Sequence, residues 1–345
     1  MKGASDAADT PRTAAPELLR GVQLSKFFAL PGSWRLPGGA GKKPQIVRAV
    51  QDASIEIGPA ETVGLVGESG SGKTTLGRLL LRLTEPTYGQ VWFEGREITH
   101  YHERDLRPLR KSLQVLFQDA AAALDECWSV EEIVAEPFAI HGLLPEPAAR
   151  RERIAELLRT VGLPPELLRR RPFELSSGQC QRVSIARALA LAPRFIVCDE
   201  PIAALDASDQ LRVVDLLRSL QDERQHSYLF ISHDLRMVLH LSQRVLVMYA
   251  GRVVESASAR ELREQARHPY TRGLLNAVPE VDPQRRRLRV LLEGEPPSPF
   301  QPIAGCPFHP RCPRARPDPC EREMPPLLPT APDELHEVAC WYPLG

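Results

Sequence analysis

The sequence predicts an α/β fold built on a mainly parallel sheet, and three segments carry that prediction. Residues 61–66 (Glu-Thr-Val-Gly-Leu-Val) form an apolar strand-like run that leads into Gly67-Glu68-Ser69-Gly70-Ser71-Gly72-Lys73-Thr74-Thr75. Leu76, Leu79, Leu80 and Leu83 then recur at the spacing of one helix face. Further on, Phe195-Ile196-Val197-Cys198 is a short apolar run that ends in Asp199 and Glu200. Acids at the carboxyl end of a buried strand sit where open parallel sheets gather their ligands.

The glycine-rich stretch fits the pattern G-x-x-x-x-G-K-[ST] at every fixed position. Its glycines let successive backbone N–H groups wrap a phosphate chain, and the following helix N-terminus adds positive potential. Lys73 would reach the β- and γ-phosphates, and the Thr74 hydroxyl would ligate Mg²⁺. The plainer reading is a turn with an exposed lysine. Asp199 would hold the Mg²⁺ water shell opposite Thr74, and Glu200 would polarise a water beside the γ-phosphate. Acids at strand ends also serve as caps and turn residues.

Composition bounds the rest. The chain has 345 residues, enough for a large domain and a smaller one. Its 44 basic and 44 acidic residues give zero net charge, so no global field favours nucleic acid. There is no apolar run long enough for a bilayer span, and the first residues lack the apolar core of a signal peptide, so a cytosolic chain is expected. Seven cysteines are then not expected to form structural disulfides. Sixteen of the 33 prolines fall from Pro279 onward, a density that a packed sheet does not tolerate. These features divide the chain into a disordered 1–16, a compact 17–256 and a proline- and cysteine-rich 257–345. Residues 31–44 read as a long hairpin loop whose Lys42 and Lys43 form a solvated tip. No internal repeat is found.

Weaker segments gain meaning only together. Residues 175–179 (Leu-Ser-Ser-Gly-Gln) precede a helix over 181–192 that Pro193 ends. Ser176 would cap that helix, or the segment would bind an anion at the helix start. Gln118 follows the apolar run 113–117, and His233 follows 228–232; alone, each is more often structural. Ile154, Leu157 and Leu158 line one face of an amphipathic helix over 150–159.

The ordered set of the phosphate loop, Gln118, 175–179, 195–200, Ala204-Leu205-Asp206 and His233 resembles the ATP-binding cassette ATPases over about 17–256. The resemblance implies a RecA-like core, an antiparallel β subdomain and a helical subdomain at about 119–187. It implies that Glu200 is the catalytic acid, that His233 contacts the γ-phosphate, and that Gln118 touches Mg²⁺ or water and senses a membrane subunit. It makes Ser176, Ser177, Gly178 and Gln179 the signature loop and Asp206 the acid that follows the catalytic strand. Phe28 falls where the family stacks an aromatic on adenine, with Phe27 as the neighbouring choice. Two such chains would close head to tail on two ATP molecules. Three positions depart from the family. Ser177 replaces the common glycine, with weakened function expected if that position needs positive φ or close approach. Ala203 and Ala120 stand where serine and proline are frequent, with minor effect.

Beyond the cassette, Arg267-His268-Pro269-Tyr270-Thr271-Arg272, then Gly294-Glu295-Pro296-Pro297-Ser298-Pro299 and Gly305-Cys306-Pro307-Phe308-His309-Pro310-Arg311-Cys312-Pro313 resemble the C-terminal extension of dipeptide and oligopeptide importer ATPases. That branch also includes nickel and glutathione importers. Cys180 after the signature glutamine resembles its second ATPase subunit. The resemblance implies a homologous ATPase partner, two transmembrane permease subunits, an extracytoplasmic peptide-binding protein and a place at the cytoplasmic face of the inner membrane. A coupling surface is expected near 118–137. A soluble cassette of a phosphonate-degrading complex is the alternative. Cys306, Cys312, Cys320 and Cys340 are separated by five, seven and nineteen residues, which suits zinc poorly. Four thiolates complete a [4Fe–4S] ligand set, and the branch carries such clusters, so a cluster is expected there, with ordinary thiols as the alternative. Cys127, Cys180 and Cys198 are expected to be packing residues.

Overall fold

The computed structural model describes residues 17–29, 45–277, 294–298, 300, 303–332 and 334–345. The N-terminal 16 residues, the 31–44 loop and Pro299 lie outside the described residues. The strands are β1 (Leu19–Ala29), β2 (Ile46–Ile57), β3 (Thr62–Val66), β4 (Tyr88–Phe93), β5 (Arg96–Glu97), β6 (Leu113–Leu116), β7 (Phe195–Asp199), β8 (Ser227–Ser232), β9 (Arg244–Tyr249), β10 (Arg252–Ser258), β11 (Leu328–Pro329) and β12 (Glu337–Val338). The α-helices are α1 (Lys73–Leu80), α2 (Glu103–Leu106), α3 (Ala120–Ala123), α4 (Val130–Ile140), α5 (Pro147–Thr160), α6 (Ser177–Leu189), α7 (Ala207–Arg224), α8 (Leu235–Leu241), α9 (Ala259–Gln265) and α10 (Pro269–Ala277).

Two sheets form. One is antiparallel, in the order β2-β1-β4-β5. The other runs β11-β12-β10-β9-β3-β8-β7-β6, and its β9-β3-β8-β7-β6 part is parallel. Every residue of β3, β7 and β8 is buried, as expected of strands covered on both faces. Alternation divides their side chains between two cores. Phe195, Val197, Leu229 and Ile231 join Leu76, Leu79 and the antiparallel sheet. Ile196, Cys198, Tyr228 and Phe230 face the other way, onto α6, α7 and α8.

Element identity follows the sequence, and some boundaries shift. Leu76, Leu79 and Leu80 are fully buried, but α1 ends at Leu80, so Leu83 leaves the helix face and is 47% exposed. The helix expected over 181–192 starts four residues earlier, at Ser177, because Ser176 caps it directly. In α5, Ile154, Leu157 and Leu158 are buried as expected. Helices α3 to α6 pack together around Val130, Ile133, Phe138, Leu157 and Val183. Cys180 and Cys198 are buried, whereas Cys127, expected to pack, is exposed.

The C-terminal region joins the main sheet rather than standing apart from it. β12 pairs with β10, matching Val338 to Glu255, and β11 adds beyond it. Both strands have two residues and Pro329 lies in the outermost one, where no ladder bond is lost. Among the described residues no helix is long and apolar enough to cross a membrane.

Candidate active site

The turn after β3 supplies the centre of the site. Gly72 caps α1 with φ 102°, and a Cβ there would stand 2.2 Å from the Ala49 carbonyl oxygen. Glycine alone gives both the left-handed conformation and the close approach. The loop curls so that Lys73 Nζ donates to the Gly67 and Glu68 carbonyl oxygens, at 2.8 and 2.9 Å. Burial lowers the Lys73 ammonium from its ordinary value, while Glu200, Asp199 and Glu68 act to keep it charged.

The parallel register brings the end of β7 beside the loop. The Thr74 hydroxyl donates to Asp199 Oδ1 at 2.9 Å. Burial holds the Asp199 carboxyl above its ordinary range, against the opposing effects of the Thr74 hydrogen bond and of Arg78. Glu200 follows with φ 48°, a left-handed conformation that costs a glutamate about 1–2 kcal/mol. Its N–H donates to the Ile231 carbonyl at 2.9 Å, which helps to hold that conformation. Gln118 Nε2 donates to Glu200 Oε2 at 3.1 Å, and His233 Nδ1 lies 3.4 Å from the same oxygen. Gln118 is steadied by its neighbour Asp119, whose side chain caps α3 by accepting from the Ala122 N–H.

Gln118, Glu200 and His233 line one cavity of about 710 Å³, together with every residue from Glu68 to Thr75. That volume suits a drug-sized or cofactor-sized ligand. Gly67 and Asp199 do not line it. Phe28 is 41% exposed and is not in the wall, although its β2 pairing partner Val47 is.

Ser176, Ser177, Gly178, Gln179 and Asp206 belong to a different surface and do not line this cavity. Ser176 Oγ accepts from the Gln179 N–H at 3.2 Å, and Gln179 Oε1 accepts from the Ser176 N–H at 2.9 Å, a capping box. Ser177 opens α6 and is absent from the positive-φ positions, so the serine meets no backbone strain there. The close approach belongs to Gly178, where a Cβ would stand 2.3 Å from Asp209 Oδ2. Asp206 caps α7 by accepting from the Asp209 N–H. Its neighbours at the cap hold its carboxyl below the ordinary range, first the backbone bond from Asp209 and then the Ser208 hydroxyl.

The family model described as "ABC transporter" matches residues 50–203, and the model "Oligopeptide/dipeptide transporter, C-terminal region" matches 254–320. A putative oligopeptide transport ATP-binding protein, YkfD of Bacillus subtilis, is 46% identical over 87% of this chain and 91% of its own length. The chain belongs to the ABC transporter family. Another relative, the oligopeptide transport ATP-binding protein OppF of Haemophilus influenzae, is 43% identical over 86% of the chain and 90% of its own length. The ATP-binding cassette MJ0796, solved as a dimer in a post-hydrolysis state with ADP and Pi, superposes with a TM-score of 0.61 at 25% identity, covering 70% of this chain and 99% of that one. The cassette described here binds and hydrolyses ATP.

The iron–sulfur expectation is corrected. Cys306, Cys312, Cys320 and Cys340 do line one cavity, but its volume is about 20 Å³, roughly the room one water needs. Burial pushes the Cys306 and Cys340 thiols up to about 11 and raises Cys312. Among the described residues no group of three or more His, Cys, Asp or Glu side chains is arranged to hold a metal ion.

Sequence reasoning missed the residues that the C-terminal region brings to the cassette. Pro296, Pro297, Ser298, Ile303, Pro307 and Met324 complete the cavity wall. Arg311 pairs with Glu68, and Tyr270 takes a hydrogen bond from the Glu68 N–H. Both lie in segments recognisable in the sequence, but nothing in those segments points back to the phosphate loop.

Proposed function

We propose that this chain is one of two homologous ATPase subunits that close head to tail on ATP and drive the import of peptides through two membrane-spanning permease subunits. An extracytoplasmic binding protein delivers the peptide, and the cassette works at the cytoplasmic face of the membrane. On this reading 17–256 is the cassette, 119–187 its helical subdomain and 257–345 the extension typical of the branch. The oligopeptide names of the relatives and the match to the transporter C-terminal region support the choice of cargo.

The observation that carries the catalytic reading is the Glu200 carboxylate, held between Gln118 and His233 at the mouth of the phosphate loop. Glu200 accepts a proton from the attacking water, Gln118 fixes its orientation, and His233 contacts the γ-phosphate. Lys73 turns from the loop carbonyls to the phosphates, and the N–H groups of 69–75 cradle them. Thr74 and Asp199 offer hard oxygen donors suited to Mg²⁺, which would neutralise charge on the transferred phosphoryl group. The segment 176–179 and Asp206 act on the partner's nucleotide, which accounts for their distance from this chain's own cavity. Phe28 supplies the stacking face for adenine.

Affinity purification of the tagged chain from membranes tests the assembly. Co-purification of a second ATPase and two permeases, with ATPase activity stimulated by peptide-loaded binding protein, supports the reading. Recovery with soluble enzymes alone, and activity indifferent to peptide, contradicts it.

A further inference from the structure

We propose that Arg311 is a positioning residue for ATP binding, acting through Glu68 of the phosphate loop. The inference rests on the cassette binding ATP in the cavity described above. Glu68 is the second residue of a loop that receives a highly charged anion, and its carboxylate opposes that anion by simple repulsion. Its charge already reaches the loop interior, where it helps to keep Lys73 protonated. The structure meets this charge with a fork. Arg311 Nη1 donates to Glu68 Oε2 at 2.8 Å and Nη2 donates to Oε1 at 3.0 Å, so both carboxylate oxygens are engaged. The Arg311 side chain is 5% exposed and that of Glu68 26%, so the pair is partly shielded from solvent.

The anchor is itself built from the C-terminal half. Arg311 Nη1 also donates to the Tyr249 hydroxyl at 3.2 Å, and its guanidinium lies 5.8 Å from the Tyr249 ring centroid. The Tyr270 hydroxyl accepts the Glu68 N–H at 2.8 Å, which fixes the backbone of the same residue whose carboxylate Arg311 holds. Tyr249, Tyr270 and Phe308 pack with centroids 4.6, 5.3 and 5.4 Å apart. Main chain and side chain of Glu68 are therefore both fixed by residues more than 200 positions away. Arg311 thus offsets the carboxylate charge at the edge of the cavity and holds Glu68 in place. A bridge that served only to fasten the C-terminal region would not need to end on the phosphate loop.

The two roles separate in a double-mutant cycle on the full-length chain. Mg·ATP binding is titrated for wild type, Arg311→Gln, Arg311→Lys and Arg311→Gln combined with Glu68→Gln, with circular dichroism and melting temperature recorded for each. Exposing the Glu68 charge raises the Kd for ATP about tenfold in Arg311→Gln. Arg311→Lys keeps the charge but loses the fork, and raises it about threefold. The double variant regains most of the affinity lost by Arg311→Gln. Should Arg311→Gln fail to fold, the same comparison is made for Arg311→Lys with and without Glu68→Gln. Wild-type affinity in Arg311→Gln overturns the proposal, as does a loss that Glu68→Gln does not recover. Failure of the wild-type chain to bind Mg·ATP would instead remove the ATP-binding reading beneath it.

Discussion

Gln118 Nε2 donates to Glu200 Oε2 at 3.1 Å, and this single bond joins the entrance of the α3–α6 layer to the end of β7. Gln118→Ala removes the donor while leaving the carboxylate and the phosphate loop in place. It is expected to lower kcat about tenfold to a hundredfold, the scale at which small misplacements act, with a much smaller change in ATP affinity. Steady-state ATPase measurements that separate kcat from KM check this. Equal losses in binding and turnover would count against a positioning role.

Gly72 combines positive φ with a close carbonyl. Gly72→Ala is expected to cost about 2–4 kcal/mol of stability, from left-handed strain together with overpacking against Ala49. Urea denaturation measures it. The same variant should lose ATP binding, because the loop can relieve the clash only by opening.

Ser176 caps α6 by both arms of a capping box, so Ser176→Ala should cost about 1 kcal/mol in the same assay. Ser177→Gly should bring no gain in stability, because the backbone at 177 is already helical. A marked gain would restore the view that serine is strained there.

His268 is fully buried, and burial lowers its imidazole to about 4. Its Nδ1 accepts the Tyr270 N–H at 3.1 Å, a bond that protonation of that nitrogen removes. Nearby, Glu255 accepts from the N–H groups of Arg267 and His268 and meets His336 Nε2 at 2.7 Å. Between about 4 and the ordinary 6.5 the unfolded chain binds a proton that the folded chain refuses. Stability from this group is therefore complete above 6.5 and is lost as pH falls, by roughly 2 kcal/mol between about pH 7 and about pH 4.5. Denaturation at both pH values should show a smaller pH-dependent loss in His268→Asn than in wild type.

The parallel core was legible because its signals are local. A buried strand, a glycine turn and a helix face occur in one continuous stretch, and the phosphate loop needs all three. Gln118, Glu200 and His233 were legible only as an ordered set, since each stands alone at the end of its strand until the parallel register gathers them. The role of Arg311 was not legible. Its partner lies 243 positions away, and an arginine among prolines carries no sign of which carboxylate it will meet. The cysteine reading failed for a related reason: spacing counts ligands but does not show how much room they enclose.

The most direct measurement is phosphate release by the assembled transporter in lipid, with and without peptide-loaded binding protein, for wild type and Glu200→Gln. The account predicts stimulation of the wild type and a loss of about a hundredfold or more in Glu200→Gln, with ATP binding retained. Wild-type turnover in Glu200→Gln would contradict the catalytic assignment, and activity indifferent to the loaded binding protein would contradict peptide import.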